Sequence, residues 1–243
     1  ESAEDFTIGS IDDLYYLESL VEDRAAGSAN APSVGVYNVT LMTDLDLSGM
    51  EWDGIGIPQS FIGFSGTFDG NGHTVTLDIT ATGNYTGMFK SLAGGAVVKN
   101  LITAGKVDGG SRRYTAAIAG SAATDNGDVT IENCRNDASV SGSRGVAGVV
   151  SYMSSSSNTL TIRNCANTGT ITGSGVQTGG IAGNLEGTSV IESCYNSGSI
   201  VGFNNYAGIL GRGVGAAVKN SYTSGSIITY EGSTNVGYAI IGS

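Results

Sequence analysis

The sequence predicts an all-β fold, a parallel β-solenoid with three short strands in each of about seven turns and an α-helix over its N-terminal end. Two observations carry this prediction. A motif recurs in near-copies over 130–142, 161–173 and 190–202. Each copy also alternates apolar and polar residues with a period of two, which is typical of strands rather than helices. Short strands that recur in register fit successive turns of one coil.

Aligning the copies gives columns of equivalent residues whose chemistry matches their expected places. Asn is expected at bends, because it tolerates a left-handed backbone and its amide can bond the residues above and below it. Val and Ile are expected in a dry interior. The columns are Asn100, Asn133, Asn164, Ser193 and Asn220; Thr103, Asn136, Asn167, Asn196 and Thr223; Val98, Ile131, Ile162, Ile191 and Val218; Val107, Val140, Ile171, Ile200 and Ile227; and the third segments 115–120, 146–151, 178–183 and 206–211.

Composition excludes several classes of protein. The 243 residues carry 22 Asp and Glu against 11 Lys and Arg, a formal net charge of −11, so a polyanion such as nucleic acid is repelled. No apolar run approaches the ~18 residues of a membrane span. With 39 glycines and only 14% charged residues, the chain suits stacked strands and turns better than helices.

One helix is predicted, over residues 10–26. Ser10 is a suitable N-cap, and Asp13 at the third helical position completes a pattern close to a capping box. Gly27 is a good C-terminal stop. The apolar stripe that would cover the first turn of the solenoid consists of Ile11, Leu14, Leu17, Leu20 and Val21.

The predicted organisation is a single domain with a capping segment over 1–35 and a β-helix over 36–243. The last residues, "VGYAIIGS", stop inside a third-strand segment with no second cap. We therefore expect the protein to continue into, or to join, other domains of a larger surface protein.

Several strings resemble a known family. "LMTDLDLSGMEWDGIG" (41–56), "FSGTFDGNGHTVTLDI" (64–79) and the segments "GGIAG" (179–183) and "AGILG" (207–211) resemble the GLUG-motif regions of bacterial cell-surface proteins. Such regions occur in secreted adhesin-like proteins and beside the catalytic domain of immunoglobulin A-cleaving metallopeptidases. The resemblance implies a right-handed parallel β-helix, an extracellular location and a structural motif without catalytic residues. Ala117 departs from the pattern, which has Gly there.

The three cysteines raise the question of a metal site. Cys134, Cys165 and Cys194 share one column, but zinc usually takes closely spaced Cys pairs and His ligands. Leu101 and Ser221 occupy the same column in the flanking copies. A position that accepts Leu, Cys and Ser favours a small packing site, so we expect no metal.

Other polar residues suggest weaker alternatives. The single histidine, His73, would need a carboxylate such as Asp69 beside it to act as a base, but its string reads as a turn. Asp44 and Asp46, with Asp53, could bind Ca²⁺ weakly, although a solvated strand edge is favoured. We expect no catalytic residue and no cofactor.

Tyrosines are the predicted ligand contacts. Tyr195 and Tyr222 share an outward column beside the Asn column, while Tyr206 and Tyr114 lie near the third strands. Exposed Tyr among Asn and Ser suits glycan or protein contact through stacking and hydrogen bonds. The loop 151–159 is a further candidate contact.

The predicted function is a non-catalytic, extracellular, adhesin-like binding module or a rigid spacer, presenting a polar, acidic face. Its expected partner is a host or cell-surface glycan or a matrix protein. The alternative is a polysaccharide-degrading β-helix enzyme, either pectate-lyase-like or a glycoside hydrolase. Such enzymes need several acids with Arg or Lys on one face, whereas the outward columns of this chain carry acids singly.

Overall fold

The chain folds as the parallel β-solenoid that its repeats predict, with about seven turns. The computed structural model describes residues 4–23, 37–58, 62–123, 126–154 and 158–242. Equivalent strands of successive turns pair in parallel, so that Ile131 lies beside Ile162 and Ile162 beside Ile191. The predicted register of the columns is confirmed.

The described residues form one helix and 23 strands. In chain order they are β1 (Glu4–Ile8), α1 (Ile11–Asp23), β2 (Tyr37–Leu41), β3 (Leu45–Asp46), β4 (Gly66–Asp69), β5 (Thr74–Thr80), β6 (Val97–Lys99), β7 (Ile102–Asp108), β8 (Arg113–Ala116), β9 (Ala119–Ala122), β10 (Val129–Glu132), β11 (Arg135–Asn136), β12 (Ser139–Gly142), β13 (Arg144–Ala147), β14 (Val150–Met153), β15 (Leu160–Arg163), β16 (Ala166–Asn167), β17 (Ile171–Gly179), β18 (Ala182–Glu192), β19 (Tyr195–Asn196), β20 (Ile200–Ala207), β21 (Leu210–Lys219), β22 (Tyr222–Thr223) and β23 (Ile227–Thr229).

The turn from β10 to β14 contains five short strands instead of the predicted three, because the backbone bends within the second and within the third predicted strand. The third predicted strand bends at Gly148 and Val149, between β13 and β14. In the next turn, a Cβ atom on the equivalent Gly180 would lie 2.2 Å from the carbonyl oxygen of Gly208 and 2.7 Å from Cγ of Asn196. The Gly-rich segment is therefore a tight corner that excludes a side chain.

The predicted loop 151–159 is shorter than expected. β14 extends to Met153, and residues 155–157 lie outside the described residues. In the following turn β18 runs unbroken from Ala182 to Glu192, because that turn has fewer residues and no loop at this place.

The Val and Ile columns form an apolar core in the interior, as predicted. Ile131, Ile162 and Ile191 are all fully buried. Burying each such side chain stabilises the fold by about 1.5–3 kcal/mol. In the N-terminal turns three phenylalanines fill the interior, with ring centroids 5.3–6.2 Å apart; they are Phe64, Phe68 and Phe89.

The Asn column at the bend has the predicted left-handed backbone. The φ angles of its members lie between 48° and 55° for Asn100, Asn133, Asn164, Ser193 and Asn220. On the surface, the amide of Asn164 donates to Asn133 (3.2 Å), that of Asn133 to Asn100 (3.4 Å) and that of Asn100 to Asp69 (2.9 Å).

The second polar column forms a ladder inside the protein. Asn136, Asn167 and Asn196 are fully buried. Asn136 donates to Asn167 (2.8 Å), Asn167 to Asn196 (2.6 Å) and Asn196 to Thr223 (3.1 Å). Each Asn also donates to the carbonyl oxygen two residues ahead, at 2.9–3.0 Å. Buried amides of this kind are stable only when both ends find partners, and here the stacked turns supply them.

The helix α1 covers the first turn, as predicted, and runs from Ile11 to Asp23. Residues 24–26 and Gly27 lie outside the described residues. Ser10 Oγ accepts from the backbone N–H of Asp13 (3.2 Å), which confirms Ser10 as the N-cap. Asp13 Oδ2 accepts from Gly9 N (3.0 Å) rather than from the N-cap itself, so the arrangement is close to a capping box, as predicted. Among the described residues, no helix is long and apolar enough to cross a membrane.

The strand before the helix was not predicted. β1 pairs in register with β2, so that Phe6 lies beside Val39. β1 precedes the first recognisable repeat copy, so the repeat pattern does not predict it. Behind it the apolar stripe of the helix is buried through Leu14, Leu17 and Val21.

Candidate functional site

The cysteine column is a packing site. Cys134, Cys165 and Cys194 are free thiols, each at most 1% exposed. Each Sγ lies 3.2–3.3 Å from the carbonyl oxygen two residues earlier, and Ser221 Oγ donates in the same way at 2.7 Å. Burial raises the pKa of Cys165 well above its usual value, which opposes thiolate chemistry.

The polar residues singled out from the sequence are dispersed among separate partners. His73 Nδ1 lies 3.1 Å from Asp44, not beside Asp69, which binds Lys99 at 3.3 Å. Asp46 accepts from the backbone of Ser48 (2.9 Å). In the described part of the chain, no three His, Cys, Asp or Glu side chains are grouped so that they could hold a metal ion.

Tyr195 and Tyr222 stack on the outer face as expected. Their ring centroids are 5.6 Å apart and their planes differ by 12°. Tyr222 is 57% exposed, and Tyr195 is half-buried. Their role in ligand contact stays a prediction.

Tyr206 is not a surface residue, so its prediction as a ligand contact was wrong. It is fully buried, and its hydroxyl lies 2.8 Å from Thr229 Oγ1 and donates to Asn235 O at 3.0 Å. A Cβ atom on Gly202 would lie 2.2 Å from Cγ of this ring, and one on Gly237 would lie 2.4 Å from Cε2. The two glycines leave room for an inward tyrosine that the repeat pattern could not reveal.

Tyr114 belongs to a surface group of three rings, the tyrosine cluster Tyr85, Tyr114 and Tyr152. The ring centroids are 5.0 Å apart for Tyr85 and Tyr114, 4.3 Å for Tyr114 and Tyr152, and 6.1 Å for Tyr85 and Tyr152. All three side chains are half-buried. The distances describe a compact triangle rather than a ladder along the axis.

The backbone of this cluster is unusual for tyrosine. Tyr85 and Tyr114 have φ of 66° and 67°, and the equivalent residues of later turns are Gly145, Gln177 and Asn205. A bulky side chain at positive φ costs about 1–2 kcal/mol. Gly145 is needed here, because a Cβ atom on it would lie 2.7 Å from the ring of Tyr114. The glycine leaves space through which Tyr114 reaches Tyr152 in the next turn.

Burial shifts the acidity of the cluster. It raises the pKa of Tyr152 to about 12, with Glu186 adding to the shift and Arg144 opposing it. Burial also raises the pKa of Tyr85; the neighbouring Tyr114 adds to this, and Arg113 offsets part of it. The hydroxyls of Tyr85 and Tyr152 therefore stay protonated near neutral pH and can donate hydrogen bonds.

Two small clefts adjoin the cluster and share Pro58 and Tyr85. One, of about 160 Å³, also has Tyr152 and serine hydroxyls in its wall. The other, of about 130 Å³, includes Asp53 and Lys90. Both are smaller than the ~300 Å³ of ordinary small-molecule pockets.

A larger cavity of about 680 Å³, the cap cavity, lies beside α1 and is lined by Glu18, Trp52 and Asp53, among others. Lys90 Nζ lies 2.7 Å from Asp53 and 3.0 Å from Glu22, and so ties the helix to the solenoid. Burial raises the pKa of Glu18 to about 7; the negative charges of Glu22 and Asp53 add to the shift, and Lys90 opposes it.

Comparisons with known proteins establish the fold and little else. No family model matches the chain, and no curated protein matches it. Among solved structures, the chain is similar to a "putative immunoglobulin A1 protease" from Bacteroides ovatus, with a TM-score of 0.66 and 17% identity over 96% of this chain and 81% of that chain. The resemblance to GLUG-motif regions stays a prediction, and the structural likeness is to a β-helix protein.

Proposed function

We propose that the chain is a non-catalytic, extracellular, adhesin-like module of a bacterial cell-surface protein, which binds a glycan at the tyrosine cluster. The observation that carries this proposal is the left-handed backbone of Tyr85 and Tyr114. Later turns place Gly, Gln and Asn at the same bend, so the fold does not need tyrosine there. Strain that persists without a structural need points to a role for the side chains.

The chemistry of the surface suits a sugar. Tyrosine offers an apolar face for the C–H groups of a pyranose ring and a hydroxyl for its polar edge. The adjoining cleft adds the serine side chains Ser91 and Ser121, together with Pro58. The rings and hydroxyls of this wall match the C–H groups and hydroxyls of a sugar ring.

The substitution Tyr114→Asn tests the proposal. Asn tolerates positive φ and occupies the equivalent bend as Asn205, so the variant should be at least as stable as the parent. Binding on a glycan array, followed by calorimetry with the best probe, should fall at least ten-fold. Tyr16→Ala, which removes an exposed tyrosine from α1, is the matched control and should bind as the parent does.

A second variant decides between the two tyrosine surfaces. If Tyr195→Ala/Tyr222→Ala loses binding while Tyr114→Asn keeps it, the ligand lies on the outer face instead. If the parent binds no glycan on the array, the rigid-spacer function is the better account.

A second candidate function, cleavage of a polysaccharide, is favoured by the cap cavity. A carboxyl with a pKa of about 7 beside another carboxylate resembles the acid of a glycoside hydrolase. Incubation with pectin, alginate, glycosaminoglycans and mucin, followed by an assay for new reducing or unsaturated ends, tests this function. Product that forms with the parent and not with Glu18→Gln would establish the enzyme and overturn the non-catalytic proposal.

A further inference from the structure

The tyrosine cluster lies within a group of arginines that lack acidic partners, although the protein has a net charge of −11. Arg112, Arg113 and Arg144 have no ion pair among the described residues. Of the seven other lysines and arginines in those residues, Lys219 alone also has no ion pair, and six hold carboxylates; these are Lys90, Lys99, Lys106, Arg135, Arg163 and Arg212. In so acidic a chain, three neighbouring arginines without an ion pair are unexpected on composition alone.

The arrangement of two of these arginines is unfavourable without a ligand. Arg113 and Arg144 are register partners in adjacent turns, so their Cα atoms lie ~4.8 Å apart. Like charges at directly paired positions of a sheet repel each other. A bound anion between them would remove this cost.

Arg144 is held in place by the protein. Its Nε donates to Oε1 of Gln177 at 3.1 Å, and Gln177 is only 6% exposed. This contact leaves the terminal amino groups of the guanidinium for another acceptor. Two such groups form the fork that binds a carboxylate or sulfate in a bidentate manner.

The arginines and the tyrosines form one surface. Arg113 directly precedes Tyr114 in β8, and Arg144 directly precedes Gly145, across which the ring of Tyr114 extends. An anionic group at the arginines would therefore be connected to a sugar ring at the tyrosines.

We propose that the ligand of the tyrosine cluster is an anionic glycan, whose carboxylate or sulfate is bound by Arg113 and Arg144 while its sugar ring packs on Tyr114 and Tyr152. This inference rests on the proposed glycan-binding function. The ligand carries isolated charges, since a densely charged polyanion is repelled by the rest of the acidic surface.

The experiment measures binding of the full chain to three polysaccharides in ~0.15 M salt, where the Debye length is ~8 Å. Dextran is neutral, hyaluronan carries only carboxylates at intervals along the chain, and dextran sulfate of low substitution carries only isolated sulfates. Binding to either anionic probe and not to dextran supports the inference, and the probe that binds identifies the anionic group. Arg144→Gln should then bind that probe about ten- to a hundred-fold more weakly, as should Arg113→Gln.

Lys219→Gln is the matched control, because it removes the same charge from a side chain without an ion pair elsewhere on the solenoid, and it should bind as the parent does. Equal binding of dextran and both anionic probes, with no effect of either arginine substitution, overturns the inference. If Tyr114→Asn still weakens that binding, the proposed function survives alone. Binding that no tyrosine or arginine substitution changes overturns both.

Discussion

The buried Asn ladder makes a quantitative prediction, which the substitution Asn167→Ala tests. Asn167 donates to Gly169 O (2.9 Å) and Asn196 Oδ1 (2.6 Å) and accepts from Asn136 Nδ2 (2.8 Å). Each bond contributes about 1 kcal/mol net. Alanine also leaves the fully buried Asn196 Oδ1 without a side-chain donor, at a cost of about 1 kcal/mol.

The expected loss of unfolding free energy is therefore about 3–4 kcal/mol. For a domain of this size, each kcal/mol shifts the midpoint of thermal unfolding by about 2–4 °C, which predicts a Tm lower by about 6–15 °C. Far-UV circular dichroism during heating measures this shift, and urea unfolding of the same samples measures the free energy.

Asn164→Gly is the matched control from the same turn. Asn164 is exposed, the hydrogen bond from its side-chain amide to Asn133 lies at the surface, and glycine adopts its φ of 53° without strain. Its unfolding free energy should stay within about 0.5 kcal/mol of the parent. If both variants lose the same stability, or if Asn167→Ala loses less than about 1 kcal/mol, the buried ladder does not stabilise the solenoid as argued.

Three further predictions concern stability and reactivity. Thr178→Val should raise the unfolding free energy, measured by urea unfolding, by about 0.5–1.5 kcal/mol. The buried Thr178 hydroxyl has no hydrogen-bond partner, and Val146 occupies the same position one turn earlier. An unfolding free energy below that of the parent would contradict this reasoning. Cys165→Ser should lower the unfolding free energy by less than about 2 kcal/mol, because Ser221 already makes the equivalent hydrogen bond in the same column. In the parent, the buried thiols should react with a disulfide reagent only after unfolding. Rapid labelling of the native protein would refute the packing interpretation. Stability should fall as pH rises from about 4.5 to about 7, because Glu18, whose pKa is raised to about 7 in the folded protein, loses its proton over this range. Glu18→Gln should abolish that slope and should raise the unfolding free energy by about 1–2 kcal/mol at pH 8, after allowance for the partial exposure of Glu18. An unchanged slope would show that Glu18 titrates normally.

The sequence predicted the fold well because a solenoid repeats one local environment many times. Ile131, Ile162 and Ile191 stack as their spacing implies, and each copy confirms the others. The same reasoning missed β1, which belongs to no recognisable copy. The corner at Gly148 was not predicted either. The apolar segment around it fits a straight strand equally well, and only the close contacts at Gly148 reveal the bend.

The candidate site was only partly predictable, for a related reason. A column alignment places Tyr85 beside Tyr114, and the arginines Arg113 and Arg144 beside each other, so these pairs could be found from the register. Tyr152 lies in a different column, and its contact with Tyr114 depends on the missing side chain of Gly145. The prediction for Tyr206 failed in the opposite sense, because Gly202 and Gly237 make room for its ring inside the solenoid.

The repeat also gives a criterion for separating function from structure in this chain. A solenoid is stabilised by the features that its columns share. A residue that differs from its column at no cost is therefore a packing residue, as Cys134 is beside Leu101. Departures that cost energy need another reason. Tyrosine in a left-handed bend and two arginines in register are both costly, and both occur on the surface that surrounds Tyr114. Two independent costs on one surface support the binding function proposed for it, since relieving either would need only residues already used in other turns.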